Sequence, residues 1–161
     1  MQTKSSDRHD LERKKWENYY DSLTSIDPEK PVELFGEELA VRIGDLLPAG
    51  SEVLEAGCGA GWQSRSLSRI GKFRLTLSDF SESALHTARE IFEREQATAN
   101  FVQENIFDSG RAEFDLVFNV GALEHYGYEE QVRFLRGLAS RSRKYVLVVV
   151  PNELCYWYWI S

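Results

Sequence analysis

The sequence predicts an α/β fold built on a parallel β-sheet, and three observations support this prediction. Short apolar runs typical of buried strands alternate with segments of helical periodicity from residue 52 to residue 150. A glycine-rich turn at residues 57–61 joins the first of these strands to the following helix. The predicted strands are apolar along their length, as expected where helices cover both faces of a sheet.

Two helices are predicted before the first strand. Apolar and aromatic side chains recur with helical spacing from residue 10 to about residue 22, and Asp27-Pro28 then interrupts the pattern. Pro31 suits the first turn of a second helix, because the first helical residues need no backbone N–H for the helix ladder. The apolar stripe of that helix continues to Leu47, and residues 48–50 end it.

The remaining elements follow in strand–helix order. Ser81 is a suitable N-cap, and Glu82 in the first turn complements the helix dipole. The third strand is weakly indicated and the fourth strongly. The predicted strands are 52–56, 73–78, 101–102, 114–120 and 145–150, and the predicted helices are 61–70, 81–96 and 128–140.

Composition restricts the classes of partner. The 161 residues suit one domain, and 19 basic against 26 acidic residues give a net charge of −7. That charge argues against nucleic acid or an anionic membrane surface as a partner recognised through bulk charge. The charged amino terminus does not resemble a signal peptide, and no apolar stretch reaches the roughly 18 residues of a membrane span. We therefore expect a cytoplasmic protein with no membrane partner.

Cysteine and histidine usage predicts neither a disulfide framework nor a metal site. The two cysteines, Cys58 and Cys155, lack C-x-x-C spacing, and the three histidines are far apart in the sequence. Cys58 stands between two glycines, where a small packing residue is a better interpretation than a nucleophile.

The glycine turn favours a nucleotide-like ligand. Glycines between a strand and a helix let the backbone turn sharply and let a ligand approach closely. The dinucleotide fingerprint G-x-G-x-x-G would place a glycine at position 62, where the sequence has Trp62. The spacing therefore argues against a nicotinamide dinucleotide, although a turn that only joins strand to helix is the alternative.

Asp79 is the second candidate binding residue. It ends the second predicted strand, about twenty residues after the glycines, where a carboxylate can hold a ribose diol. A helix cap, or a solvated turn with Ser81, is the alternative interpretation.

Three segments together resemble the class I S-adenosylmethionine-dependent methyltransferases: VLEAGCGAG at 53–61, LSDFS at 77–81 and FDLVFNVGALEHY at 114–126. The resemblance covers roughly residues 50–151. It implies a three-layer, Rossmann-like doubly wound sheet, with strands one to five present and the usual strands six and seven missing. Residues 1–49 would then be helices that cap the cofactor site, and residues 50–161 an incomplete methyltransferase core.

The resemblance also implies the cofactor and its contacts: S-adenosylmethionine, with S-adenosylhomocysteine as product. The glycine loop would pack against the methionine part and Asp79 would bind the ribose. Asn105 would meet the adenine amino group, where the family usually has an aspartate. The residues that it assigns to the cofactor are Glu55, Gly57, Cys58, Gly59, Gly61, Asp79, Phe80, Asn105, Ile106 and Asn119.

Glu124 and His125 are the candidate catalytic residues, beside an expected small-molecule acceptor. A base is needed only if the acceptor loses a proton at attack, and histidine has a suitable pKa for that step. The alternative is that both residues orient the loop or cap the next helix.

The aromatic residues suggest two further hypotheses. Trp16, Tyr19 and Tyr20 would form either a lid over the cofactor or part of the core. Residues 154–160 and the edge of strand five would otherwise expose apolar surface, so the chain is expected to be a fragment or to self-associate there. A non-catalytic association module is therefore the alternative to an enzyme.

Overall fold

The computed structural model describes residues 14–22, 28–108, 110–111 and 113–152. Residues 14–21 are helical and are called α1. The other elements are α2 (Lys30–Leu46), β1 (Glu52–Ala56), α3 (Trp62–Ile70), β2 (Arg74–Asp79), α4 (Glu82–Arg94), β3 (Asn100–Gln103), β4 (Phe114–Val120), a 3-10 turn (Leu123–His125), α5 (Tyr128–Arg141) and β5 (Ser142–Val149).

The five strands form one parallel sheet in the order β3-β2-β1-β4-β5. The chain builds outward from β1 through β2 to β3, and then crosses to β4 and β5 on the other side of β1. The strand order thus reverses between β1 and β4. Parallel α/β sheets bind ligands at such a reversal, outside the carboxyl ends of the strands.

Helices cover both faces of the sheet, which confirms the predicted three-layer, doubly wound α/β fold. Successive strand residues alternate between two cores: Val53 packs on the side of α2, α3 and α4, whereas Leu54 packs on the side of α5 with Phe134 and Leu138. The alternation follows from the two-residue period of a β-strand, and the helices supply the apolar surface that each face buries.

The predicted cap of α4 is confirmed. The Ser81 hydroxyl accepts a hydrogen bond from the backbone N–H of Ala84 at 3.2 Å, and Glu82 lies in the first turn. This cap fixes where the chain leaves β2 and therefore where Asp79, the last residue of β2, is held.

The prediction was wrong about β5. The strand begins at Ser142 rather than at residue 145, and Tyr145 and Val146 are 43% and 41% exposed instead of buried. Within the described part of the chain, β5 pairs only with β4, so its first half borders solvent and tolerates polar side chains.

Three sequence predictions lie wholly or partly outside the described residues. They are the beginning of the first helix, the aromatic segment at residues 154–160, and Cys155. Among the residues that are described, no helix is long and apolar enough to cross a membrane.

Candidate functional site

A cavity of about 250 Å³ opens at the carboxyl ends of the central strands, at the reversal of strand order. The loops after β1, β2, β3 and β4 supply its floor and sides, and Trp16 and Tyr20 of α1 cover it. Trp62 and Gln63, the first residues of α3, also line it. The topology predicts a ligand site here, and the cavity occupies that position.

The glycine loop forms the floor of this cavity. Gly57 and Gly59 line it with φ angles of +65° and +53°, a left-handed conformation that costs other residues free energy. A Cβ atom on Gly57 would lie 3.2 Å from the Asn119 side-chain nitrogen. Both positions therefore need glycine, and both present bare backbone to the cavity.

Gly61 does not line the cavity, contrary to the sequence prediction. A Cβ atom there would lie 2.6 Å from a methyl group of Leu77 and 3.3 Å from the Cβ of Ala88. The third glycine is needed because α3 begins in close contact with β2 and α4, not because a ligand approaches it.

Asp79 connects the glycine loop to the next strand. Its Oδ2 accepts from the backbone N–H of Gly59 at 2.9 Å, and its Oδ1 accepts from that of Ser81 at 2.9 Å. The side chain is 7% exposed and lines the cavity. Burial raises the pKa of this carboxyl, and the backbone hydrogen bonds oppose the rise. Asp79 thus forms the turn with Ser81 that was the alternative to ligand binding, and it also faces the cavity.

Glu55 orders the loop from behind and does not line the cavity. Its Oε2 accepts from the backbone N–H of Ser64 at 3.0 Å, which ties β1 to the first turn of α3. The side chain is 2% exposed, and burial raises its pKa to about 7. This contact orders the loop, and a direct contact between Glu55 and the cofactor stays a prediction.

Asn119 is also a structural neighbour of the cavity rather than part of its wall. The side chain is fully buried, and its Nδ2 donates to the Ala56 carbonyl at 2.7 Å, across from β4 to β1. Val120, Gly121 and Ala122 line the cavity instead. Asn119 lies outside the cavity lining because its side chain points toward β1, and its contact with the cofactor stays a prediction.

In the cavity wall that follows β3, one predicted residue again lies outside the lining. Phe80 and Ile106 are two of the predicted cofactor residues, and both line the cavity. Asn105, also predicted, does not line it. Asn105 is exposed, and its Oδ1 accepts from the backbone N–H of Phe107 at 3.0 Å, which closes a turn. Glu104 takes the predicted place of Asn105 in the lining, and its N–H donates to the Asp79 carbonyl at 3.0 Å.

The two candidate catalytic residues differ in their position relative to the cavity. His125 lines the cavity, with its ring 5.4 Å from that of Trp16, whereas Glu124 does not line it. Nor does Glu124 cap α5: the Glu130 carboxylate accepts from the Gly127 N–H at 3.2 Å and performs that function. His125 thus lies at the cavity and Glu124 outside its lining, and a catalytic role for either stays a prediction.

The residues of α1 cover the glycine loop. The Tyr20 hydroxyl occupies the place that a Cβ atom of Gly59 would take. Burial and the nearby Asp79 raise the pKa of the phenol, so it stays protonated. Tyr19 is 44% exposed and lies outside the cavity lining. Of the three aromatic residues, Trp16 and Tyr20 have the position expected of a lid.

Cys58 lines the cavity with a protonated thiol, and its contact with the cofactor stays a prediction. It is 6% exposed, and burial raises its pKa well above the ordinary range. In the portion of the chain that the structure describes, no group of three or more His, Cys, Asp or Glu residues is arranged to hold a metal ion.

Sequence reasoning missed several lining residues, among them Ser78, Ala122, Val32, Glu104, Tyr126 and Phe134. Tyr126 ends the segment 114–126 that carried the resemblance, so its position was a usable signal. Val32 and Phe134 belong to helical apolar stripes, and nothing in the sequence distinguishes them from core residues.

Comparisons with known proteins agree with this geometry. The family described as "Methyltransferase domain" matches residues 53–144. The ribosomal RNA small subunit methyltransferase C of Actinobacillus pleuropneumoniae is 29% identical over 94 residues, which are 58% of this chain and 28% of that protein.

Solved structures share the fold. The magnesium protoporphyrin IX methyltransferase of Synechocystis, solved with bound S-adenosylmethionine, has a TM-score of 0.65 at 23% identity over 71% of this chain and 57% of its own. A S-adenosylmethionine-dependent methyltransferase of Aquifex aeolicus has a TM-score of 0.63 at 21% identity over 76% of this chain and 67% of its own. The chain thus spans only part of the length of these proteins.

Proposed function

The chain belongs to the methyltransferase-domain family, and on that premise we propose that it binds S-adenosylmethionine and transfers its methyl group to a small-molecule acceptor. The observation that carries the proposal is the pairing of the glycine loop with Asp79. The backbone N–H of Gly59 donates a 2.9 Å hydrogen bond to the Asp79 carboxylate. Glycine backbone and a carboxylate therefore lie side by side where the strand order reverses.

The residues of this cavity fit that cofactor. Gly57 and Gly59 line the cavity without side chains, so their backbone accepts a closely approaching ligand once the Tyr20 hydroxyl moves off Gly59. Asp79 is already held by two backbone N–H groups, and its remaining lone pairs are available to ribose hydroxyls. Phe80 and Ile106 supply apolar surface for a flat base.

The cofactor supplies an electrophilic methyl group on a sulfonium, and the protein supplies position and exclusion of water. Trp16 and Tyr20 cover the loop and separate it from solvent. His125 stands on the same side and would accept the proton of a hydroxyl acceptor. For an acceptor that needs no deprotonation, His125 would instead form one wall of its pocket.

Charge supports a small, neutral or cationic acceptor. The charged residues among the described lining are Asp79 and Glu104, both acidic, and the whole chain carries −7. Anionic acceptors would be repelled by this lining. The relative that acts on ribosomal RNA makes RNA the natural competing acceptor.

The test is transfer of a tritium-labelled methyl group from S-adenosylmethionine to two separate pools, small-molecule extract and total RNA. We expect label in the small-molecule pool, and we expect the Asp79→Asn variant to lose it. Label confined to RNA would overturn the acceptor class. A folded chain that binds the cofactor but labels neither pool would favour the non-catalytic association module.

The exposed half of β5 favours self-association as an additional property. Tyr145 and Val146 are each more than 40% exposed, on a strand whose outer edge has no partner among the described residues. Exposed strand edges pair readily with other chains. Sedimentation velocity of the full chain tests this: a monomer at all concentrations would contradict it.

A further inference from the structure

Gln131, near the start of α5, reaches back to the turn that carries His125. Its Nε2 donates to the Leu123 carbonyl at 3.3 Å and to the Tyr126 carbonyl at 3.0 Å. A glutamine amide has two N–H donors, so one hydrogen serves each carbonyl. The two acceptors flank His125 in the sequence, and Gln131 therefore bonds the backbone on both sides of this residue.

The turn Leu123–His125 has little support of its own. It is a single 3-10 turn of three residues, and no side chain caps it at Ala122. Its backbone N–H groups donate at 3.2 Å from His125 to the Ala122 carbonyl and at 3.3 Å from Tyr126 to the Leu123 carbonyl. Such hydrogen bonds have poorer geometry than those of an α-helix. The bonds from Gln131 therefore contribute much of what fixes the path of this turn.

The side chains at the end of the turn are held differently. The Tyr126 ring lies 5.1 Å from that of Phe107 and 5.7 Å from that of Phe134, so it is anchored by packing. The His125 ring contacts that of Trp16 at 5.4 Å. Within the part of the chain that the structure describes, no hydrogen bond orients the His125 imidazole. Its position at the cavity therefore depends on the backbone that carries it.

The glycine loop is held by other residues. Glu55 bonds the first turn of α3, and Asp79 bonds the loop itself. The start of α5 is fixed separately, because the Glu130 carboxylate accepts from the Gly127 N–H at 3.2 Å. Loss of the Gln131 amide should therefore displace the turn with His125 and leave the glycine loop in place.

We propose that Gln131 is a positioning residue that holds His125 at the cavity, so that the imidazole is in place for the methyl acceptor. The inference rests on the proposed methyl transfer and adds a residue that lies outside the cavity lining. The two carbonyl acceptors specify the side chain. Methionine has about the size of glutamine but no donor, whereas lysine keeps donors on a chain of similar length.

The first measurement uses tryptophan fluorescence, which requires no acceptor. A protonated imidazole quenches an adjacent indole, and the Trp16 ring is in contact with that of His125. The fluorescence is titrated between about pH 5 and about pH 8, where histidine changes charge. The difference between each chain and its counterpart that also carries His125→Gln isolates the quenching due to His125.

We expect this quenching at low pH in the wild-type chain and loss of most of it in Gln131→Met, because the turn leaves its place. Gln131→Lys should retain most of it. Gln103→Met is the matched control: the Gln103 amide donates to the Phe80 carbonyl at 3.2 Å, and its removal should leave the quenching unchanged.

Two outcomes of this titration would overturn the proposal. One is a wild-type chain without quenching due to His125. The other is the result of a merely structural role, in which Gln131→Met melts at a lower temperature but the folded variant keeps full quenching. If Gln131→Met does not fold, Gln131→Glu replaces it, because an ionised carboxylate keeps the shape and has no donor. Full quenching in Gln131→Glu would overturn the proposal, and lost quenching would support it.

The second measurement is the rate of label transfer from S-adenosylmethionine to the small-molecule extract. In Gln131→Met, kcat should fall about tenfold or more, because a displaced base transfers the proton poorly. The KM for S-adenosylmethionine should stay within about twofold, because the glycine loop is unchanged. A raised KM with an unchanged kcat would contradict the positioning role.

The two proposals fail in distinguishable ways. A folded wild-type chain that labels no pool overturns the proposed function, and with it the role of Gln131 in transfer. A wild-type chain that labels the small-molecule pool, with a quenching and a kcat that Gln131→Met leaves unchanged, overturns this inference alone.

Discussion

At the scale of single residues, two buried carboxyl groups hold the glycine loop. Glu55 bonds the first turn of α3 from behind, and Asp79 bonds Gly59 from the cavity side. Burial raises the pKa of both groups, so each is easier to protonate in the folded chain than in the unfolded one. The loop therefore has a stability that depends on pH.

Glu55→Gln should make stability less dependent on pH. The folded chain keeps the Glu55 proton up to about pH 7, whereas the ordinary pKa is 4.5. Folding takes up a proton between these values, so the free energy of unfolding falls as pH rises through this range. Glutamine stays neutral and keeps an acceptor for Ser64. We expect the variant to gain roughly 1–3 kcal/mol relative to wild type between about pH 5 and about pH 8.

Urea denaturation of both proteins across that range measures the difference. Asp79 raises the pKa of Glu55 through its charge, so this coupling is part of the measured difference. Parallel stability curves for wild type and variant would show that Glu55 ionises normally.

Asp79→Asn should weaken binding of S-adenosylhomocysteine. The ribose hydroxyls would lose a charge-assisted hydrogen bond worth roughly 1.5–3 kcal/mol, or about 10- to 100-fold in Kd. Asp45→Asn, at an exposed position on α2, is the matched control and should leave Kd unchanged. Calorimetry gives both values, and equal affinity in the two variants would remove Asp79 from the ribose site.

His125→Gln should separate binding from turnover. The residue lies against Trp16 rather than against the glycine loop, so the Kd for S-adenosylhomocysteine should stay within about twofold. With a hydroxyl acceptor, kcat should fall about 100-fold or more, because the general base is lost. Glu124→Gln is the control, since Glu124 lies outside the cavity lining. Unchanged kcat in both variants would leave His125 as a wall residue.

The sequence predicted the types of residue at the site better than their orientations. The pattern placed Asp79 and the glycines at the right strand ends. It could not show that Asn105 closes a turn with Phe107 while Glu104 faces the cavity. Which of two adjacent polar residues lines a cavity depends on backbone torsion angles and on contacts with residues distant in the sequence.

At the scale of elements, α1 and the glycine loop compete for space. The Tyr20 hydroxyl rests on Gly59, and the cavity of about 250 Å³ is smaller than the roughly 300–1,000 Å³ of typical ligand pockets. A ligand that contacts Gly59 therefore requires α1 to shift. If α1 is a lid, its movement should therefore limit the rate of ligand association.

Tyr20→Ala should speed the association of S-adenosylhomocysteine severalfold, because the side chain that covers Gly59 is removed. Asn18→Ala is the control on the same helix and should leave the rate unchanged, since Asn18 is exposed and lies outside the cavity lining. Stopped-flow tryptophan fluorescence, with Trp16 and Trp62 at the cavity, measures both rates. Slower association in Tyr20→Ala would mean that Tyr20 assists ligand entry.

The elements of the interior were predicted better than those at the edges. The predicted bounds of β4 match the structure, because β4 is central and its apolar run is continuous. Residues 142–144 of β5 are polar and lie outside the predicted strand, yet Ser142 pairs with Phe114 of β4 and an irregularity in the register follows. Edge strands border solvent, so they lack the apolar pattern from which strands are recognised.

At the scale of the whole molecule, the reversal of strand order gives the fold its ligand site. Strand periodicity, the glycine loop and Asp79 were sufficient to predict the sheet and the position of the cavity. The acceptor was less predictable, because its pocket depends on how α1 and the turn Leu123–His125 approach each other. Contacts between segments so far apart in sequence leave no local pattern.

The measurement that tests the account most directly is a calorimetric titration of the chain with S-adenosylhomocysteine, with NAD as the control ligand. The Gly57–Gly59 loop and Asp79 predict micromolar binding of the first. Trp62, where a dinucleotide fingerprint requires glycine, predicts no binding of the second. A folded chain that binds neither, or that prefers NAD, would contradict the central claim.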